Sequence, residues 1–103
     1  MGENSMKILC VIKKLGEAPY VDHIENELGA FQELVGGYIE TVTIASDLVI
    51  ICNEEGRLMG IPFNVEVANV GFCGTVIAVG KKRDEFASLK AVNVPFVLKI
   101  LGG

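Results

Sequence analysis

Three cysteines and one histidine, Cys10, Cys52, Cys73 and His23, make up the soft-ligand and nucleophile inventory of this 103-residue chain. Four such side chains would numerically complete a tetrahedral zinc shell. Structural zinc sites draw their ligands as close pairs from turns, whereas all four here stand singly in strand-like runs. Small buried thiols therefore account for the cysteines better than a metal does. A Cys and His nucleophile pair would draw on the same residues, and only the fold could bring them together. Hard-ligand chemistry has one candidate, the turn Asn53-Glu54-Glu55-Gly56. It lacks the ligand spacing of an EF-hand loop, and two carboxylates on a turn are usually just solvated.

The largest polar grouping is Tyr38, Glu40, Asn53, Glu54, Arg57 and Asn64, which falls at strand ends flanking two turns. If those strands pair as a meander, several of the six converge on one sheet edge and form a candidate binding surface. The competing role for each is local. Asn53 and Asn64 would satisfy turn amides, and Arg57 would pair with Glu54 or Glu55 across a hairpin at under about 1 kcal/mol. The glycines at 36, 37, 56, 60, 71, 74 and 80 are spread among turns and form no phosphate loop. No catalytic constellation stands out, and no metal or cofactor is expected.

The elements that must position these residues begin with a short helix at Leu28 to Val35. Leu28, Phe31, Leu34 and Val35 recur at the three-and-four spacing that gathers apolar side chains on one face. Asn26 is the expected N-cap, Glu27 suits the positive end of the helix dipole, and Gly36 can take the left-handed conformation that closes a helix. Tyr38 to Ala45 is rich in β-branched residues and reads as a strand. Leu48 to Cys52 is apolar without alternation, as expected of a central strand covered on both faces. Arg57 to Met59 reads as a short return strand ended by Pro62, which would make an antiparallel meander.

Upstream, Lys7 to Ile12 and Tyr20 to Ile24 form an N-terminal hairpin around the turn Gly16 to Pro19. From Ile61 to Gly71 the signals conflict, since Phe63, Val65 and Val67 alternate as in a strand while Asn64 could cap a helical turn. Phe72 to Val79 is a strand beside the Leu48 run, with Gly80 as its exit. Asp84 to Lys90 fits a helical turn pointing Phe86 and Leu89 inward. The tail VPFVLKILGG either docks on its own domain or is left as an apolar contact for a partner or a second copy. The fold class expected is α+β: a curved, mainly antiparallel sheet of five to six strands, one helix on a face and a short C-terminal helical segment.

Composition narrows the partners. Half the residues are hydrophobic and 21% are charged, so residues 7–103 read as one globular domain and residues 1–6 as a flexible lead or expression remnant. A net charge of −4 argues against nucleic acid, whose phosphates must be neutralised by Lys and Arg. Lys81, Lys82 and Arg83 are followed at once by Asp84 and Glu85, which suits a solvated turn. The Leu48 run is far short of the roughly 20 residues that span a bilayer. Lys13 and Lys14 interrupt the one candidate signal segment, and three unclustered cysteines suit a reducing cytoplasm.

The string VGGYIETV at 35–42, followed by ICNEEGRLMGIPFN at 51–64 and GTVIAVG at 74–80, resembles DUF3846, a family of small uncharacterised domains. EFASL near Leu89 continues the likeness, and the more apolar AVNVPFVLKILGG departs from it. The resemblance implies cytoplasmic life in a bacterial, phage or mobile-element setting and carries over no established activity. The functional expectation is a protein-binding accessory module that engages a bacterial host protein through an acidic surface or a sheet edge. The alternative is a small-ligand binder or enzyme using Tyr38, Glu40, Asn53 and Arg57.

Overall fold

A computed structural model describes residues 6–102; the N-terminal lead expected at residues 1–6 falls, apart from Met6, outside the described residues. Among the described residues eight strands and two α-helices follow in the order β1 (Lys7–Lys13), β2 (Tyr20–Glu25), α1 (Leu28–Val35), β3 (Ile39–Ala45), β4 (Leu48–Asn53), β5 (Phe63–Val67), β6 (Val70–Cys73), β7 (Val76–Lys82), β8 (Glu85–Ala87) and α2 (Val94–Ile100), the last preceded by a 3-10 turn at Ala91–Asn93. Every strand pairing is antiparallel. The main sheet is open and runs β2-β1-β7-β4-β3, with β8 added along the end of β7, and β5-β6 is a separate hairpin. The fold is therefore α+β, built on a six-stranded antiparallel sheet.

The unbroken apolar run of β4 is explained by its place second from the edge and by the layers on both faces. All six of its residues are buried. Ile8, Cys10, Ile12, Val49, Ile51, Ile77 and Val79 face α1, which contributes Phe31 and Val35. Val11, Leu48, Ile50, Cys52, Val76 and Ala78 face the other way, beneath Val67 and Phe72 of the β5-β6 hairpin and Val97 and Leu101 of the C-terminal segment. Period-two alternation thus serves two cores at once, which leaves the run from Leu48 to Cys52 without a polar position. The tail docks on its own sheet. Val97 and Leu101 are fully buried, each such burial being worth roughly 1.5–3 kcal/mol.

Several local expectations are corrected by these layers. Asn26 does not cap α1: its side chain donates to the Phe86 carbonyl at 3.0 Å, and extended Glu27 precedes the helix instead. Gly36 does close it, with a φ of 80°. Arg57 to Met59 is not a strand. Residues 54–60 are wound in successive turns, with Met59 N–H donating to the Glu55 carbonyl at 2.9 Å and Ile61 N–H to the Gly56 carbonyl at 2.9 Å, so their backbone groups are satisfied locally. The meander consequently stops at β3-β4, and the neighbour of β4 on its other side is β7.

The conflicted stretch after Ile61 resolves as strand, forming β5. Phe72 to Val79 divides at Gly74, whose φ of 78° turns the chain from the hairpin into the sheet. Gly80 is not an exit, because β7 runs on to Lys82. Residues 85–87 pair with β7 as β8 rather than forming a helical turn, since the hairpin ladder supplies partners that an isolated turn could not. Phe86 still points inward, meeting Phe31 edge to face at 5.3 Å, and Leu89 is buried.

Candidate functional site

The turn that replaces the expected return strand builds one wall of a cleft. Residues 54–58 face the β5-β6 hairpin, and β3-β4 forms the remaining side. The space enclosed is about 450 Å³. Its apolar lining comes from Val42, Cys52, Val70, Phe72 and Cys73, and its polar lining from Glu40, Asn53, Glu54, Glu55 and Arg57. Glu40 stands directly across the ladder from Cys52.

The structure thus brings together four of the six residues singled out in the sequence: Glu40, Asn53, Glu54 and Arg57. Tyr38 lies around the corner in a shallower groove with Gln32, Asn53, Glu55 and Met59. Asn64 is elsewhere. It donates to the Lys13 carbonyl at 2.9 Å and the Gly74 carbonyl at 2.8 Å and accepts from Lys13 Nζ at 2.9 Å, which clamps the start of β5 to the end of β1. Three such bonds make Asn64 a structural pin for carbonyls rather than for the turn amides expected of it.

Among the described residues Asn53 is the one buried polar side chain of the core. Its Oδ1 accepts from the Glu55 amide at 2.8 Å, as a turn-forming asparagine should, and its Nδ2 donates to the Val35 carbonyl at 3.1 Å. Arg57 does not pair with Glu54 or Glu55. Its guanidinium instead donates to the Gly71 carbonyl at 3.3 Å, across the cleft. The described residues contain a single ion pair, Lys90 with Asp47 at 3.4 Å, and neither residue lines the cleft. Glu40, Glu54 and Glu55 are all exposed, so the cleft carries three carboxylates against one guanidinium.

The thiols divide between the two cores. Cys10 faces α1, whereas Cys52 faces the hairpin, so the sheet itself separates them. Burial pushes the Cys52 thiol up to about 11, with the charge of Glu40 and then Cys73 adding to it. Burial, with a contribution from Asp22, pushes Cys10 up to about 12. Both are held as neutral thiols, the opposite of what a nucleophile or a metal ligand requires. Among the described residues no three His, Cys, Asp or Glu side chains are grouped to hold a metal ion.

Sequence reasoning missed the apolar rim. Leu58 is 88% exposed, Met59 59% and Phe63 62%, and they join Tyr38, which the sequence did single out and which is 70% exposed. The signal is the dipeptide Leu58-Met59 between Gly56 and Gly60, two large apolar residues in a stretch whose glycines suit a turn rather than a return strand. Among the described residues no helix is long and apolar enough to cross a membrane.

Neither a curated protein nor a solved structure matches this chain. The model of a domain of unknown function, DUF3846, matches residues 6–98, which takes in the whole sheet, both walls of the cleft and most of α2, and the chain belongs to that family.

Proposed function

We propose that this domain is a protein-binding accessory module whose contact surface is the acidic cleft and its rim. The observation that carries the reading is the exposed set Tyr38, Leu58, Met59 and Phe63 beside three carboxylates. Aromatic residues and methionine are enriched where proteins meet, and a bare leucine held outward on a tightly bonded turn has no use inside its own fold. The excess of negative charge favours a partner with a basic face. A bacterial host protein as that partner, a cytoplasmic location and a phage or mobile-element origin belong to the same proposal. They rest on the family and on three unpaired thiols.

Capture from bacterial lysate tests it, with the intact chain compared against a Leu58→Ser, Glu54→Lys variant. A stoichiometric partner held by the first and lost by the second supports the reading. Repeated capture of no stoichiometric partner overturns it. The size of the cleft favours a second reading, because about 450 Å³ lies within the range of small-molecule sites. A small molecule that co-purifies with the chain and is displaced by Glu40→Lys would establish that alternative in its place.

A further inference from the structure

The cleft lies along one side of a free sheet edge. β3 is the last strand of the sheet and pairs only with β4. Glu40 and Val42 line the cleft on one face of β3. Thr41 and Thr43, pointing to the opposite face, line a second groove of about 260 Å³ with Val49, Lys81 and Phe86. Two grooves therefore flank a single edge strand, one on each face, in phase with its side-chain alternation.

The backbone of that edge is available. The Glu54 amide donates to the Tyr38 carbonyl at 2.8 Å, and Tyr38 and Glu54 stand opposite each other when the β3-β4 register is continued by one residue. Hydrogen-bonded and non-bonded pairs alternate along an antiparallel ladder. Glu40 and Val42 therefore bond inward to β4, and Ile39, Thr41 and Thr43 direct their amides and carbonyls outward. Exposed edges are normally blunted by charge, proline or a bulge. The opposite edge, β2, carries Asp22, His23 and Glu25. β3 carries one charge, Glu40, and a bulge confined to its far end between Thr43 and Ala45.

We infer that β3 accepts an extended segment of a partner protein as an added strand, with a lysine or arginine of that segment entering the cleft. The cleft suits such a side chain in both its parts. A methylene stem lies on Val42, Val70 and Phe72, and the cation meets Glu40, Glu54 and Glu55. Small residues on the alternate positions fall into the groove beside Thr41 and Thr43, while main-chain bonds to the outward groups of Ile39, Thr41 and Thr43 supply the register. This rests on the protein-binding reading above and names the occupant of its site.

The test is selection of a displayed library of random peptides against the full chain, followed by hydrogen exchange of the chain with the enriched peptide bound. The expected peptides carry Lys or Arg and slow the exchange of the Thr41 and Thr43 amides. Thr41→Pro, which removes an outward amide and spares the inward bonds, and Glu40→Lys are each expected to weaken them by about tenfold or more. Enriched peptides that are lost with Glu54→Lys but leave the Thr41 and Thr43 amides unchanged overturn strand addition while the cleft reading stands. Competition by free spermidine with no amide protected overturns the protein segment in favour of a soluble cation. A library with no enriched member also overturns strand addition, and the lysate capture then judges the cleft on its own. Since exchange is read on the unmodified chain, a variant that fails to fold does not decide the outcome.

Discussion

Asn53 Nδ2 donates to the Val35 carbonyl at 3.1 Å, joining the last residue of β4 to the last turn of α1. The same side chain accepts from Glu55 N–H and so fixes the first corner of the cleft wall. One buried amide thus couples the core to the candidate site. Gly37 shares the arrangement, since a Cβ there would sit 2.9 Å from Asn53 Nδ2.

Asn53→Ala leaves the Val35 carbonyl and the Glu55 amide without their partner, and the expected loss is about 2–3 kcal/mol of unfolding free energy. Asn53→Asp keeps the acceptor for Glu55 and loses the donor to Val35, so it should also destabilise. Urea midpoints at constant slope measure both; wild-type midpoints for the two variants would contradict the coupling.

Gly80 should be the least replaceable glycine of the sheet. A Cβ built on it collides with the backbone carbonyl of Ser88, where the chain leaving β8 crosses β7. Backbone on both sides cannot yield as a flexible side chain does. Gly80→Ala is therefore expected to cost about 3 kcal/mol or more. Gly29→Ala, which meets nothing within 4 Å and sits in a helix, should be neutral or stabilising. Thermal melts of the pair give the comparison.

Thiol chemistry should follow burial. Cys73 is part-exposed, while Cys10 and Cys52 are buried. In the native protein near about pH 8 a thiol reagent is expected to label Cys73 first and the other two only on unfolding. The linked pH effect has a definite sign. Unfolded thiols ionise near 9.0, whereas native Cys52 is raised to about 11 and Cys10 to about 12. The stability these thiols contribute is complete below pH 9 and is lost as pH rises toward and through the native values, because the unfolded state gives up its protons first. Replacing both by Ala should flatten the decline of stability in that window.

Removal of the chain after Val92 uncovers the ground held by Val97 and Leu101, both fully buried. The shortened protein should be less stable and should self-associate through the bared apolar face. Phe96→Ser, which alters an exposed side chain of α2, should leave stability within about 0.5 kcal/mol of wild type. Mass by light scattering during size exclusion, together with a melt, separates the two. A monomeric, fully stable truncation would show that the docked tail contributes little.

Much of the fold was legible because its signals are local. Gly36 stops α1 by its left-handed φ, the apolar run of β4 announces a strand covered on both faces, and the β1-β2 hairpin follows from an apolar run and an alternating run set on either side of a glycine-proline turn. Asn26 misled for the opposite reason, since its partner, the Phe86 carbonyl, is 60 positions away, whereas residues 85–87 misled because they pair with Gly80 to Lys82 of β7 across a tight turn rather than closing a helical turn on themselves. The sequence by itself determined an acidic chain with two apolar faces per central strand and a polar cluster near the β4 exit. Only the tertiary structure decided that Glu40, Glu54 and Arg57 share a cleft while Asn64 pins β1, and that β7 rather than residues 57–59 lies beside β4. Strand order and cleft walls depend on contacts between distant segments. Such contacts form where burial and hydrogen-bond satisfaction are best across the whole chain, and no single stretch of residues encodes them.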